Sequence, residues 1–299
     1  MTSIKKQNAL LIIKVLALMS IVRWMNIALT ISAQYLAAVF VLNQGKPVSE
    51  VLLNPKLHLM TLASAFIIAG GYIINNFYDF EKDLVNRPEK TLLGRLVSRK
   101  FGLNCYFLFN FTGLCLALIA SWRIFLYYLI FTIALWAYSH KFQKIPFVRE
   151  SIASVLSVAS FFSIGIFYKY ITMPLFLYGC FAMLTIFSRE ILKGIEAYKG
   201  NAIFGYGTLA SKMGKNKSTY FMILIQLTSL IPLIILWLKF GMVNLGPFLI
   251  GLTLLICLLL PAMLLNNDNM KKVSLLHGLY KIFLVTIIFL VVFIPENLP

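Results

Sequence analysis

Long apolar runs alternate with short polar connections along nearly the whole chain. By length they predict about nine helical membrane spans, near 24–43, 57–78, 103–120, 123–140, 151–168, 172–190, 218–239, 247–265 and 275–294. Some connections are very short, such as Ser121–Arg123 and Lys169–Ile171, so the spans they join form antiparallel hairpins. The connections on the other side are longer and polar. No polar linker divides the chain, which predicts one integral-membrane domain over 1–299. The first 23 residues are basic and apolar, like a signal peptide. Lys14 interrupts the apolar part and no small-residue cleavage site follows, so the segment reads as an interfacial helix leading into the first span.

Composition agrees with this pattern. The chain is 60% hydrophobic and only 12% charged, with a mean hydropathy of +0.87. These values exclude an ordinary soluble domain and describe an all-α, polytopic transmembrane bundle. The formal net charge of +17 would suit nucleic acid. The basic residues, however, lie in short loops between apolar runs, so they are topology determinants and contacts to anionic lipid or phosphorylated substrates, not a nucleic-acid surface. Of the 27 basic residues, only Lys46, Lys56, Arg123, Lys169 and Lys239 fall on one side, and Lys281 falls within the last span. The rest lie on the side of the N-terminus, which predicts a cytoplasmic N-terminus, an outer C-terminus and a multi-pass protein of the cell (inner) membrane. Asp79, Glu81, Asp83, Glu89, Glu150, Glu190, Glu196 and Asp268 share the inner side, so the chemistry is expected to face the cytoplasm. Cys105, Cys115, Cys180 and Cys257 are isolated, with no zinc spacing and no disulfide framework.

One polar block stands out after the second span. Asn75 to Arg95 holds four of the ten acidic residues: Asp79, Glu81, Asp83 and Glu89. If the helix continues to Asn86, then Asn75, Asp79, Asp83, Asn86 and Lys90 share one face. Two carboxylates and two carboxamides in that register can hold a divalent cation through oxygen. Arg87 and Lys90 beside them suggest that a phosphate is the other partner of the metal. A second block, Ser188 to Lys217, follows the sixth span and puts Arg189, Lys193 and Glu196 on one helical face, with a break expected near Gly200. A third block after the fourth span carries Tyr138, His140, Lys141 and Lys144. If the bundle closes on itself, the first two blocks form two walls of one cavity. His58 and His277 receive no role.

These residues resemble the UbiA family of intramembrane prenyltransferases. Its first motif, NDxxDxxxDxxNxPxKP, is matched by Asn75, Asp79, Asp83, Asn86, Pro88 and Lys90. Its second, similar to REIxKDIEDxxGDxxxGxxTLP, is matched by Arg189, Glu190, Ile191, Lys193, Ile195, Glu196, Gly200, Gly205, Thr208 and Leu209. Tyr138, Ser139, Lys144 and Pro146 resemble the family's third block. The resemblance implies Mg2+ as cofactor, with a polyprenyl diphosphate and a lipophilic acceptor as partners. It implies metal ligation and catalysis by Asp79 and Asp83, with Asn75 as a further ligand. Asn75, Asn86, Arg87, Lys90, Tyr138, Lys144, Arg189, Lys193 and Lys199 would bind substrate. The wording of the second motif is closest to the archaeal-type branch, whose acceptor is geranylgeranylglyceryl phosphate.

Departures from the family pattern are concentrated in the second motif. The family's first aspartate is Asn76 here, and three second-motif aspartates fall on Gly194, Ala197 and Asn201. One strong Mg2+ site is therefore expected, at the first motif, with Arg189, Lys193 and Lys199 stabilising the diphosphate directly. The alternative is a catalytically impaired member that binds an isoprenoid or lipid, or serves as an accessory membrane protein.

Overall fold

The computed structural model describes residues 15–86, 97–197, 201, 203–241, 246–265 and 270–293. All regular elements among them are helical. Residues 15–22 are helical and end at Arg23, whose backbone is left-handed (φ 52°). The long helices are α1 (Trp24–Ala37), prolonged by a π-turn at Ala38–Leu42, α2 (Pro55–Asn86), α3 (Arg99–Ala120), α4 (Trp122–His140), α5 (Val148–Tyr168) and α6 (Met173–Glu196). They are followed by α7 (Lys215–Thr228), α8 (Leu230–Phe240), α9 (Gly246–Leu264) and α10 (Met270–Leu290). Among the described residues, 9 helical spans are long and apolar enough to cross a membrane, with α7 and α8 forming one of them. The apolar pattern predicts this number. As the polar spacing requires, α2 runs past its apolar stretch to Asn86, whereas α6 stops at Glu196, short of Gly200.

Local chemistry fixes the helix starts. The Ser98 hydroxyl accepts the Phe101 N–H at the head of α3 (3.2 Å). The Thr172 hydroxyl accepts the Leu175 N–H at the head of α6, where Pro174 fits the first turn. Two helices meet closely where a side chain is missing. A Cβ on Gly113 of α3 would lie 2.9 Å from Ile67 and 3.2 Å from the Ala63 carbonyl of α2, so only glycine permits this approach.

One apolar core draws on every span, through Ala37, Ile67, Tyr128, Phe181, Met222 and Tyr280 among others. Buried polar groups fasten the spans where no water competes. The Gln34 amide donates to the Ser160 carbonyl (2.8 Å) and the Ser64 hydroxyl (2.9 Å), joining α1, α5 and α2. Ser188, Tyr280 and Gln226 join α6, α10 and α7 (2.8 and 3.3 Å). Phe107, Phe111, Ile130, Leu238, Leu258 and Ile282 are exposed, the expected state for side chains whose solvent is lipid.

Candidate active site

The polar end of α2 begins the site. The Asn75 amide donates to Asp79 Oδ2 (3.1 Å), one turn on, as their shared face requires. Lys82 Nζ lies 2.7 Å from Asp79 Oδ1, with only 5% of the lysine side chain and 8% of the aspartate exposed. A lysine near the end of a span would ordinarily snorkel into water. This one turns inward, and the charges of Asp83 and Arg149 also act on it.

Tyr206, from the segment after α6, covers Lys82. Its ring centroid is 4.2 Å from Lys82 Nζ, and its hydroxyl donates to the Tyr78 carbonyl on α2 (3.1 Å). Burial, then the nearby Asp79 carboxylate, pushes the Tyr206 hydroxyl pKa up, so it remains a donor at neutral pH. The second block is thus clasped to the first. The third block joins them: the Gly207 N–H donates to the Lys144 carbonyl (3.0 Å), and Lys144 Nζ lies 5.8 Å from the Tyr206 ring. A Cβ on Gly207 would lie 2.4 Å from Pro146 Cδ, so this contact needs glycine.

Glu150 locks that junction. It is 1% exposed, and its carboxylate accepts the Phe147 N–H (2.9 Å) and the Leu209 N–H (3.1 Å). Phe147 has φ 70°, and the Glu150 bond helps hold that uncommon backbone. Gly194 sits beside Glu150: a Cβ there would be 3.6 Å from Glu150 Oε1 and 3.3 Å from Thr208 Cβ. The position of one expected aspartate is therefore crowded by a threonine and a different acid.

On the last turns of α6 the Lys193 ammonium pairs with the Glu190 carboxylate. Across the bundle, His277 Nδ1 meets Glu196 Oε2 (2.9 Å) and His277 Nε2 meets Arg189 Nη2 (3.3 Å). Arginine can only donate, so Nε2 accepts and Nδ1–H donates to Glu196. His277 of α10 therefore bridges a cation and an acid of the second motif. The Arg23 guanidinium also acts electrostatically on Lys193, bringing the start of α1 to the same region. Asn201 is fully buried, and among the described residues neither of its amide atoms has a hydrogen-bond partner. Such an amide has capacity for a guest or for water.

Most of the predicted residues converge. Asn75, Asp79 and Asp83 line the end of α2, and Lys144 reaches them through Tyr206. Tyr138 feels the charges of Arg149, Glu190, Asp79 and Glu150, which come from both motifs and from the start of α5. Arg189 and Lys193 lie on the last turns of α6, paired with His277 and Glu190. Asn86 ends α2, while its side chain, together with Arg87, Lys90 and Lys199, lies outside the described residues. Local spacing misses Lys82, Glu150, Tyr206 and His277. Among the described residues no three His, Cys, Asp or Glu side chains gather as a ready metal cage. The oxygen donors of Asp79, Asp83 and Asn75 do suit one hard cation that keeps waters and phosphate as its other ligands. A cavity of about 390 Å³ opens on the neighbouring face of α2, lined by Leu18, Ile73, Asn76, Phe80 and Arg99. Asn76, at the family's first aspartate position, faces this cavity.

The spans α2 and α6 both end in carboxylate, guanidinium or ammonium groups, and an apolar cavity opens beside α2. Residues 33–287 match the UbiA prenyltransferase family, and the chain belongs to that family; it is a multi-pass membrane protein. It is 30% identical over 239 residues to digeranylgeranylglyceryl phosphate synthase of Sulfolobus acidocaldarius, covering 77% of this chain and 82% of that one. The Pyrococcus horikoshii synthase is 32% identical over 165 residues, and the match spans only 58% of its length. Among solved structures, a digeranylgeranylglyceryl phosphate synthase shares the fold with a TM-score of 0.66 at 24% identity, covering 94% of this chain and 97% of that one. A UbiA homologue from Archaeoglobus fulgidus, bound to GPP and Mg2+, shares it with a TM-score of 0.67 at 17% identity, covering 93% and 99%.

Proposed function

We propose that the chain, acting as one membrane domain, is a prenyltransferase. It moves a polyprenyl group from its diphosphate to a lipophilic acceptor, with Mg2+ assistance. The observation that supports this reading is the clasp of the two motifs through Tyr206, whose ring covers Lys82 beside Asp79 and whose hydroxyl donates to the Tyr78 carbonyl. Asp79, Asp83 and Asn75 would hold the metal, which when bound neutralises charge on the leaving diphosphate. Arg189, Lys193 and Lys144 bind diphosphate oxygens, with Arg87, Lys90, Lys199 and Asn86 assigned to the same task from the motifs. Tyr138 offers its hydroxyl to the diphosphate as a donor. Glu150 and His277 orient the groups that touch substrate. An acceptor oxygen or electron-rich ring carbon attacks the allylic carbon, the carbon–oxygen bond to diphosphate breaks, and the acceptor gives up a proton.

The relatives named digeranylgeranylglyceryl phosphate synthase favour a geranylgeranyl donor and a glycerophospholipid precursor as acceptor. The distribution of basic residues supports a cytoplasmic N-terminus, a cytoplasmic site and the cell membrane as location. A second reading, a prenyl-lipid binder without turnover, is favoured by Gly194, Ala197 and Asn201, which stand where three acids are expected.

The test is incubation of the purified protein with geranylgeranyl diphosphate, Mg2+ and either geranylgeranylglyceryl phosphate or an aromatic quinone precursor, followed by mass spectrometry. A prenylated product with either acceptor supports the assignment and names the acceptor class. Tight binding of the diphosphate with no product from any acceptor would replace it with the second reading.

A further inference from the structure

Lys82 is the least expected side chain in the site. It lies between Glu81 and Asp83, and Glu81 points outward to an exposed ion pair with Arg99 (2.9 Å). Lys82 turns the other way and is 5% exposed. Burying an ammonium is expensive unless something replaces the lost water. Two partners do so: Asp79 Oδ1 at 2.7 Å and the Tyr206 ring at 4.2 Å. They belong to different motifs, so the ammonium stands on the seam between the first block and the second.

The second block has lost the acids that would hold a cation on its side of that seam. A Cβ on Gly194 would meet Thr208 at 3.3 Å and the Glu150 carboxylate at 3.6 Å, so an acid there would crowd a buried threonine and face a like charge. Glu150 itself is occupied by two backbone N–H groups. Glu190 is paired with Lys193, and Glu196 with His277. Positive charge at the seam is therefore built into the chain.

We infer that Lys82 is the resident second cation of the site. Its ammonium neutralises Asp79 when no substrate is bound and meets a diphosphate oxygen when one arrives, so that a single divalent ion suffices. The inference rests on the reading of the site as a diphosphate site, and two binding measurements separate the two claims.

The first measurement is calorimetry of inorganic pyrophosphate binding to the detergent-solubilised full chain in EDTA. The second is a Mn2+ titration read by electron paramagnetic resonance. The wild type is expected to bind pyrophosphate without metal and to take one Mn2+ per chain. Lys82→Met should weaken metal-free pyrophosphate binding about tenfold or more and tighten Mn2+ binding by a similar factor, because a competing positive charge leaves Asp79. Lys82→Arg should retain most of the metal-free binding. If Lys82→Met fails to fold, Asp79→Asn combined with Lys82→Met removes the ion pair whole, and it must still lose the metal-free binding. Metal-free affinity within about twofold of wild type in these variants, or two Mn2+ per wild-type chain, overturns the inference. A wild type that binds no pyrophosphate even with Mn2+ would instead overturn the diphosphate site itself.

Discussion

Gly194→Asp restores one of the missing acids, yet the geometry predicts harm. A Cβ at this position would lie 3.3 Å from Thr208 Cβ and 3.6 Å from Glu150 Oε1. Thr208 is fully buried and its hydroxyl accepts the Ser211 N–H that caps the helix Leu209–Met213, so it cannot move aside freely. Overfilling a packed position of this kind costs about 1–3 kcal/mol. The new carboxylate would also stand beside the buried Glu150. Two like charges ~4 Å apart repel by about 4 kcal/mol at an effective dielectric of ~20. The combined loss is about 6 kcal/mol, and Gly194→Asn, which has the shape without the charge, should lose about 2 kcal/mol. Thermal unfolding in detergent, followed by tryptophan fluorescence, measures the order directly. Wild type should be the most stable, then the asparagine variant, then the aspartate variant, with no recovery on adding Mn2+. An aspartate variant as stable as wild type, with stronger Mn2+ binding, would refute this reasoning and show that the position has room and lacks only its acid.

Three further perturbations probe the clasp. Glu150→Gln turns one acceptor into a donor facing a backbone N–H of Phe147 or Leu209, which should cost about 2 kcal/mol and speed limited proteolysis within 203–214. His277→Phe removes the bridge between Arg189 and Glu196, so KM for the prenyl diphosphate should rise about tenfold in steady-state assays while kcat changes less. Gly207→Ala puts a methyl 2.4 Å from Pro146 Cδ, so it should part the two loops, lowering the Tm and the affinity for diphosphate together in paired unfolding and binding measurements.

The spans and the first motif are legible because their signals are local. A run of about 20 apolar residues announces a membrane helix wherever it falls. The four-residue spacing of Asn75, Asp79 and Asp83 likewise announces a face, and the Asn75–Asp79 bond realises it. The rest of the site depends on contacts between distant segments. Lys82 reads as one more topology charge until Tyr206, far along the chain, is seen over it. Glu150 reads as a cytoplasmic acid until Leu209 is found bonded to it. His277 carries no local motif and acquires partners only because α10 packs against α6. Gly194 shows the reverse case: the sequence marks a lost acid, while the fold shows a position crowded by Thr208 and Glu150.

Diphosphate release in a single turnover tests the central claim most directly. The protein is mixed with geranylgeranyl diphosphate, geranylgeranylglyceryl phosphate and Mg2+, and wild type is compared with Asp79→Ala and Asp83→Ala. Wild type should release diphosphate and form the doubly prenylated product, and each variant should slow that step at least about 100-fold. Release at the wild-type rate by either variant, or no release by wild type with any acceptor, would contradict the account.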